Sequence, residues 1–221
     1  LLLFLFKIAS FICLFKFFVL GSALGVAVET SFESWLIDYK KNALEKGISQ
    51  QTLDIAFKNV KFLDQVIKYD RKQPEFFEDT ATYVSKRATD YRARKAGKLL
   101  KKNSYLLNEV EKNFKVEKEI LLALWGIETN FGKHVGKMDI ISSLATLSYD
   151  KRRRDFFSTQ LLILLQLIDK KLIDPRELYG SWAGAFGNFQ FMPSTISKYA
   201  IDYDQNNRIE LKTSLEDSIA S

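Results

Sequence analysis

The stretch "VEKEILLALWGIETNFG", residues 116–132, decides the fold class. Its apolar residues at 120, 121, 122, 124, 125 and 127 recur at helical spacing, with no period-two alternation in competition. The spacing predicts the most buried helix of the molecule, stopped by Gly132. One carboxylate, Glu128, stands near its C-terminal end, ahead of Asn130 and Phe131. A glutamate there meets the negative end of the backbone dipole and apolar neighbours such as Trp125, and both disfavour its ionised form. A raised pKa is what a general acid working near neutral pH requires. The competing reading is a structural glutamate paired with a nearby basic residue.

Outward from this segment the pattern stays helical. "TSFESWLIDYKKNALEKGIS", residues 30–49, places Thr30 and Glu33 at capping-box spacing and should end near Gly47. Ser49 is positioned to cap a short helix over "SQQTLDIAFKNV", and "KYDRKQPEFFED" reads as a loop. Residues 74–114 read as one long helix followed by another around Gly97, and "DFFSTQLLILLQLIDKKLI", residues 155–173, as a second strongly apolar helix. The expected fold is mainly α with few or no strands, and no period indicates a repeat array.

With 221 residues, 47% of them apolar, the chain can bury a proper core. Its net charge of +6 favours an anionic partner only weakly, because Lys7 and Lys16 fall within the first apolar stretch. That stretch, residues 1–27, reads as a secretory leader or an N-terminal anchor. One cysteine, Cys13, and one histidine, His134, exclude an internal disulfide and a Cys/His metal site. The run "DKRRRDFF", residues 150–157, suits a salt-bridged or solvated face better than nucleic-acid phosphate, being short and leading into an apolar helix.

The segment "YGSWAGAFGNFQFMPSTISKYA", residues 179–200, mixes glycines with Ser181, Asn188 and Gln190 and with aromatics that include Phe191. Small residues let a ligand approach the backbone, polar groups can bond sugar hydroxyls and acetamides, and aromatic faces suit pyranose rings. A tight helix-packing turn would use the same glycines.

With these pieces in hand the chain resembles the lytic murein transglycosylases of the B family. "DRKQPEFF", "GIETNFGKHVGKMDIISSLATLSYDKRRRDFF" and "GSWAGAFGNFQFMPST" follow one another in that family's order. The resemblance implies a lysozyme-like helical catalytic domain over residues 28–221. It also implies cleavage of the β-1,4 bond between N-acetylmuramic acid and N-acetylglucosamine, leaving 1,6-anhydro-muramoyl ends. On this resemblance Glu128 is the catalytic acid and then base, Ser181 and Gln190 lie in the sugar groove, and Tyr83 approaches the substrate from upstream. Peptidoglycan strands are the implied partner, the periplasm the implied location, with membrane association through the N-terminal segment and no role for nucleic acid. No cofactor is required for the chemistry. Family members continue past "LEDSIAS", so the chain is expected to be truncated at its C-terminus.

The segment "DYDQNNRIELKT", residues 202–213, resembles the family's calcium loop. Asp202, Asp204, Asn206, the Arg208 carbonyl and Thr213 take positions 1, 3, 5, 7 and 12. Asn207 stands where glycine is usual and Thr213 where an acid is usual, which leaves weak structural calcium binding and a metal-free loop both open. Two other functions compete: a muramidase-type hydrolase, with Asp139 as the second carboxylate, and a peptidoglycan-binding module without catalysis.

Overall fold

The computed structural model describes residues 30–72 and 78–221. The expected leader over residues 1–27, and the part of "DRKQPEFF" from 73 onward, lie outside the described residues. The chain divides into two compact units, Leu1–Ser31 and Phe32–Ser221, and the fold below is that of the second.

Among the described residues the architecture is mainly α. α1 (Phe32–Glu45), α2 (Gln50–Ala56) and α3 (Asp64–Arg71) are followed by α4 (Thr80–Arg87), α5 (Asp90–Lys102), α6 (Ser104–Phe114) and α7 (Lys118–Thr129). Then come β1 (Met138–Asp139), α8 (Ile140–Tyr149), α9 (Arg154–Asp169), a short 3₁₀ turn at Pro175–Glu177, β2 (Tyr179–Gly180), α10 (Pro193–Tyr199) and α11 (Leu215–Ala220). No helix among the described residues is long and apolar enough to cross a membrane.

Local chemistry sets many of these boundaries. α1 begins at Phe32, one residue later than a cap at Thr30 implies. Ser49 caps α2 by accepting from the Thr52 N–H, and the Ser49 and Thr52 hydroxyls both donate to Asp169 at the end of α9, at 2.5 and 2.7 Å. The region expected as two helices parted at Gly97 is three. Asp79 and Thr89 each accept a first-turn N–H, so short side-chain caps restart the helix where apolar periodicity alone runs on. Gly97 lies within α5, where an added Cβ would meet nothing within 4 Å.

α7 is not the most buried helix. Leu122, Trp125, Gly126 and Thr129 face inward, while Ile120, Leu124 and Ile127 are 48%, 46% and 49% exposed. Among the described residues the most buried helix is α8, in which nine of the ten residues are buried. Its many hydroxyl residues keep it slim and serve its neighbours. The Ser142 and Thr146 oxygens accept the backbone N–H groups of Lys61 and Leu63, at 3.2 and 3.0 Å, and Asp139 caps its first turn through the Ser142 N–H.

Among the described residues the apolar interior forms two clusters. The larger is built on Ile140, Leu144 and Leu147 of α8 and Phe157, Leu161, Leu164 and Leu165 of α9, with Leu53, Val66 and Ile196 around them. The smaller joins Leu107 and Val110 of α6, Leu122 and Trp125 of α7, Phe131, and Ile219 and Ala220 of α11. The glycine-rich segment runs between them: Phe186 and Phe191 pack with the first, Phe189 with the second.

Strands β1 and β2 pair antiparallel, Met138 opposite Gly180. This ladder ties the chain after α7 to the start of the glycine-rich segment. A Cβ on Gly136 would lie 2.1 Å from the Gly180 carbonyl oxygen and one on Gly180 would lie 2.2 Å from that of Ala185. These glycines let one stretch of backbone pass close against another.

The basic run is a salt-bridged face. Asp70 is buried, and Arg71 and Arg152 both reach its Oδ2, at 2.5 and 2.9 Å, with Arg153 at 3.7 Å from Oδ1. Arg71 also bonds Asp150, and Arg154 donates to the Tyr149 carbonyl. Removing a buried carboxylate's partners is costly, which explains a cluster of arginines here without a nucleic-acid ligand.

Candidate active site

Glu128 is the last residue but one of α7. Three left-handed residues follow, Asn130 at φ 52°, Phe131 at 60° and Gly132 at 77°. Their turn closes the helix: the Asn130 N–H donates to the Gly126 carbonyl and the Phe131 N–H to that of Trp125, at 3.2 and 3.1 Å. Lys95 on α5 donates to the Asn130 carbonyl at 3.0 Å and lies over the Phe131 ring. A cation at a helix C-terminus is favourable against the backbone dipole. The Asn130 Oδ1 is buried without a hydrogen-bond partner.

The Glu128 carboxylate makes no ion pair or side-chain hydrogen bond among the described residues. The structural glutamate expected as the alternative reading needs such a partner and finds none. The residue is exposed, yet enough protein crowds its carboxyl that desolvation lifts its pKa above the ordinary glutamate value.

The polar residues expected in the groove divide into two kinds. Ser181 accepts the Ala185 N–H at 3.0 Å through its Oγ, so its own proton is free to donate. Gln190, at φ 51°, donates Nε2 to the carbonyls of Val135 and Gly187, at 3.2 and 3.0 Å, and its carbonyl oxygen is unclaimed among the described residues. These two offer a donor and an acceptor to a ligand. Asn188 offers neither. It is buried, its Oδ1 accepts from Trp125 Nε1 at 3.1 Å, and its Nδ2 donates to Leu211, Lys212 and Ser218, at 3.3, 3.3 and 3.1 Å. Every polar atom of its amide is engaged, so its expected place as a sugar contact is corrected to an interior one.

Phe191 is partly buried, stacked on Phe189 with centroids 6.0 Å apart, and Phe189 stacks on Trp125 at 6.4 Å. A line of aromatic faces thus runs from the glycine-rich segment to the helix that carries Glu128. Tyr83 sits on α4 with the Arg87 guanidinium 3.6 Å from its ring centre, and no hydrogen bond or ring contact among the described residues joins it to Glu128, Ser181 or Gln190. Asp139, the second carboxylate a hydrolase would use, is occupied as the cap of α8, its Oδ1 2.6 Å from the Ser142 nitrogen.

The loop after α10 folds around its own carboxylates. Asp202 accepts the N–H groups of Asn206 and Asn207, at 3.0 and 2.7 Å, and the Asn206 side chain accepts from the Arg208 N–H. Asn207 takes φ 67° at the sharp turn, a region Asn enters more readily than most residues. Thr213 is exposed, and the acid that joins the loop is Asp217, inside α11. One carboxylate oxygen from each of Asp202, Asp204 and Asp217 lies within 4.8 Å of the others. The Asp204 carboxyl is lifted above its ordinary range by desolvation and, to a smaller extent, by the charge of Asp217. Convergent hard oxygens under mutual repulsion fit a divalent cation such as calcium. Asp217 was invisible to loop spacing because it lies four residues beyond the twelve-residue frame and reaches back from a helix.

A family model described as "Transglycosylase SLT domain" matches residues 31–221. Membrane-bound lytic murein transglycosylase B of Escherichia coli is 40% identical over 106 residues, 48% of this chain and 29% of that protein. Among solved structures, SltB3 from Pseudomonas aeruginosa in complex with NAG-NAM-pentapeptide superposes with a TM-score of 0.82 at 36% identity, over 86% of this chain and 51% of that one. The Escherichia coli lytic transglycosylase Slt35 in complex with calcium gives 0.72 at 31% identity, over 84% and 59%. The chain therefore spans about half the length of the SltB3 structure.

Proposed function

The chain belongs to the transglycosylase SLT domain family, and from that premise we propose that it cleaves the β-1,4 bond between N-acetylmuramic acid and N-acetylglucosamine in peptidoglycan and leaves 1,6-anhydro-muramoyl ends. The observation that carries the proposal is Glu128: an unpaired, partly desolvated carboxyl at a helix terminus, beside a segment that offers a free donor on Ser181 and a free acceptor on Gln190. Glu128 in its protonated form donates to the glycosidic oxygen. As a carboxylate it then takes the proton of the sugar's own C6 hydroxyl, which closes on the anomeric carbon. Capture within one molecule is favoured because the hydroxyl is already held near the reacting carbon. No second carboxylate is needed, in keeping with the capping duty of Asp139.

Ser181, Gln190 and Phe191 contact the sugar in this reading, with Tyr83 approaching from α4. Residues 28–221 constitute the catalytic domain and residues 1–27 a leader or anchor that delivers it to the periplasmic face of the membrane. The Asp202, Asp204 and Asp217 carboxylates hold a structural calcium ion, with Asn206 and the Arg208 carbonyl, and that ion has no part in the chemistry.

The test is digestion of purified peptidoglycan by the parent chain and by Glu128→Gln, with mass spectrometry of the released muropeptides. The expected outcome is fragments one water lighter than reducing ends, from the parent alone. Reducing ends would sink the transglycosylase reading in favour of hydrolysis, and binding without cleavage by either protein would leave a carbohydrate-binding module.

A further inference from the structure

We propose that Asn188 is the positioning residue that fixes Glu128, by tying the last turn of α7 to the loop before α11. The proposal rests on the reading of Glu128 as the acid and goes beyond it, because an acid with no partner of its own is aimed only by the backbone that carries it.

Asn188 meets that turn from two sides. Its Oδ1 accepts from Trp125 Nε1, three residues before Glu128, and its backbone carbonyl accepts from the Thr129 hydroxyl, one residue after it, at 3.1 and 2.8 Å. The Thr129 oxygen in turn accepts the Gly132 N–H at 2.9 Å, which closes the left-handed turn beyond the helix. A Cβ on Gly132 would lie 2.8 Å from Asn188 Oδ1, so the turn and the amide are in direct contact. On its other side Asn188 is anchored by four bonds to protein. Its backbone N–H donates to the Leu211 carbonyl at 2.8 Å, and its side-chain N–H groups are shared among Leu211, Lys212 and Ser218. Ser218 also donates to the Leu211 carbonyl at 2.8 Å, so the anchor is itself cross-linked. Among the described residues, Asn188 is the one residue outside 125–134 that hydrogen-bonds both Trp125 and Thr129, the first through its side chain and the second through its backbone.

Misplacing a catalytic group by a fraction of a bond length lowers turnover without weakening substrate binding to match. Three variants separate positioning from folding. Asn188→Ala removes the amide; Thr129→Val removes one hydroxyl from a side chain of nearly the same shape; Thr129→Ser keeps that hydroxyl. Each is followed by thermal melting, by kcat and KM on purified peptidoglycan, and by NMR titration of the carboxyl carbon of Glu128 in isotopically labelled protein.

The expected result is a fall in kcat of about tenfold to a hundredfold for Asn188→Ala and Thr129→Val, with KM within about twofold and Thr129→Ser close to the parent. The Glu128 titration midpoint should drop toward the ordinary glutamate value in the two impaired variants, as a loosened turn admits water to the carboxyl. Folded variants with parental kcat and an unmoved midpoint overturn the proposal, as does a loss confined to KM. Should Asn188→Ala fail to fold, the two Thr129 variants carry the same comparison. A parent that cuts no peptidoglycan, with the midpoint still moving in the variants, removes the enzymatic reading and leaves Asn188 as the residue that sets Glu128.

Discussion

At the residue scale the proposed chemistry turns on Glu128 being partly desolvated and without an ion pair or side-chain hydrogen bond among the described residues. Its folded pKa is raised, so the folded state holds its proton more tightly than the unfolded chain does. The stabilisation this gives is fully present below the ordinary glutamate pKa and is lost as pH rises through the raised value. Glu128→Gln is therefore expected to melt no lower than the parent, and slightly higher, at neutral pH, with the difference vanishing in acid. Melting curves at paired pH values check this. Cleavage by the same variant should fall by about 10²–10⁴-fold, and parental kcat should decline as pH rises through the Glu128 midpoint. Gly132→Ala forces a Cβ against Asn188 Oδ1 at a left-handed φ, and denaturant titration should show a loss of about 1–3 kcal/mol. What sequence reports of Glu128, Ser181 and Gln190 is their residue type and order, and in the fold each keeps a polar atom unclaimed among the described residues. Asn188 was misread, since sequence reports an amide in a polar segment and not which way it faces. Asp217 was missed because its signal is purely spatial.

At the element scale the helical class was legible and the burial order was not. Apolar count favoured α7, whose Ile120, Leu124 and Ile127 instead lie at the surface, while α8 conceals itself behind serines and threonines. A hydroxyl residue on a buried helix scores as polar in sequence, yet it packs tightly once its oxygen finds a backbone partner, as Ser142 and Thr146 do with Lys61 and Leu63. The breaks at Thr89 and Asn103 were hidden for a similar reason: Thr89 caps the start of α5 and the Asn103 side chain donates back to the Leu99 carbonyl at its end, single side-chain bonds that periodicity averages away. If α8 is the keel of the larger cluster, Leu144→Ala should cost about 2–5 kcal/mol in chemical denaturation. The Leu124→Ala change on the exposed face of α7 should cost far less, and comparison of the two variants decides the order of burial.

At the scale of the whole molecule, the acidic loop touches both apolar clusters, the larger through Ile209 and Leu211 and the smaller through Ile201 and Tyr203. The Asp217 side chain accepts the N–H groups of Tyr203 and Glu210, at 2.8 and 2.9 Å, so it organises the loop before any cation arrives. Calcium at a hundredfold excess over its dissociation constant should raise stability by about 2.7 kcal/mol. Asp217→Asn should abolish that increment, as calorimetry with and without chelator would show. The seam between the clusters has a further consequence. Because Trp125 and Phe131 belong to the smaller cluster and α8 and α9 to the larger, breathing motions need not be uniform, and the part with fewer buried contacts opens at lower free energy. Amide hydrogens of α6 and α7 should then exchange with deuterium ahead of those of α8 and α9, and a warmed sample should go silent, reversibly, while most of its helical signal persists.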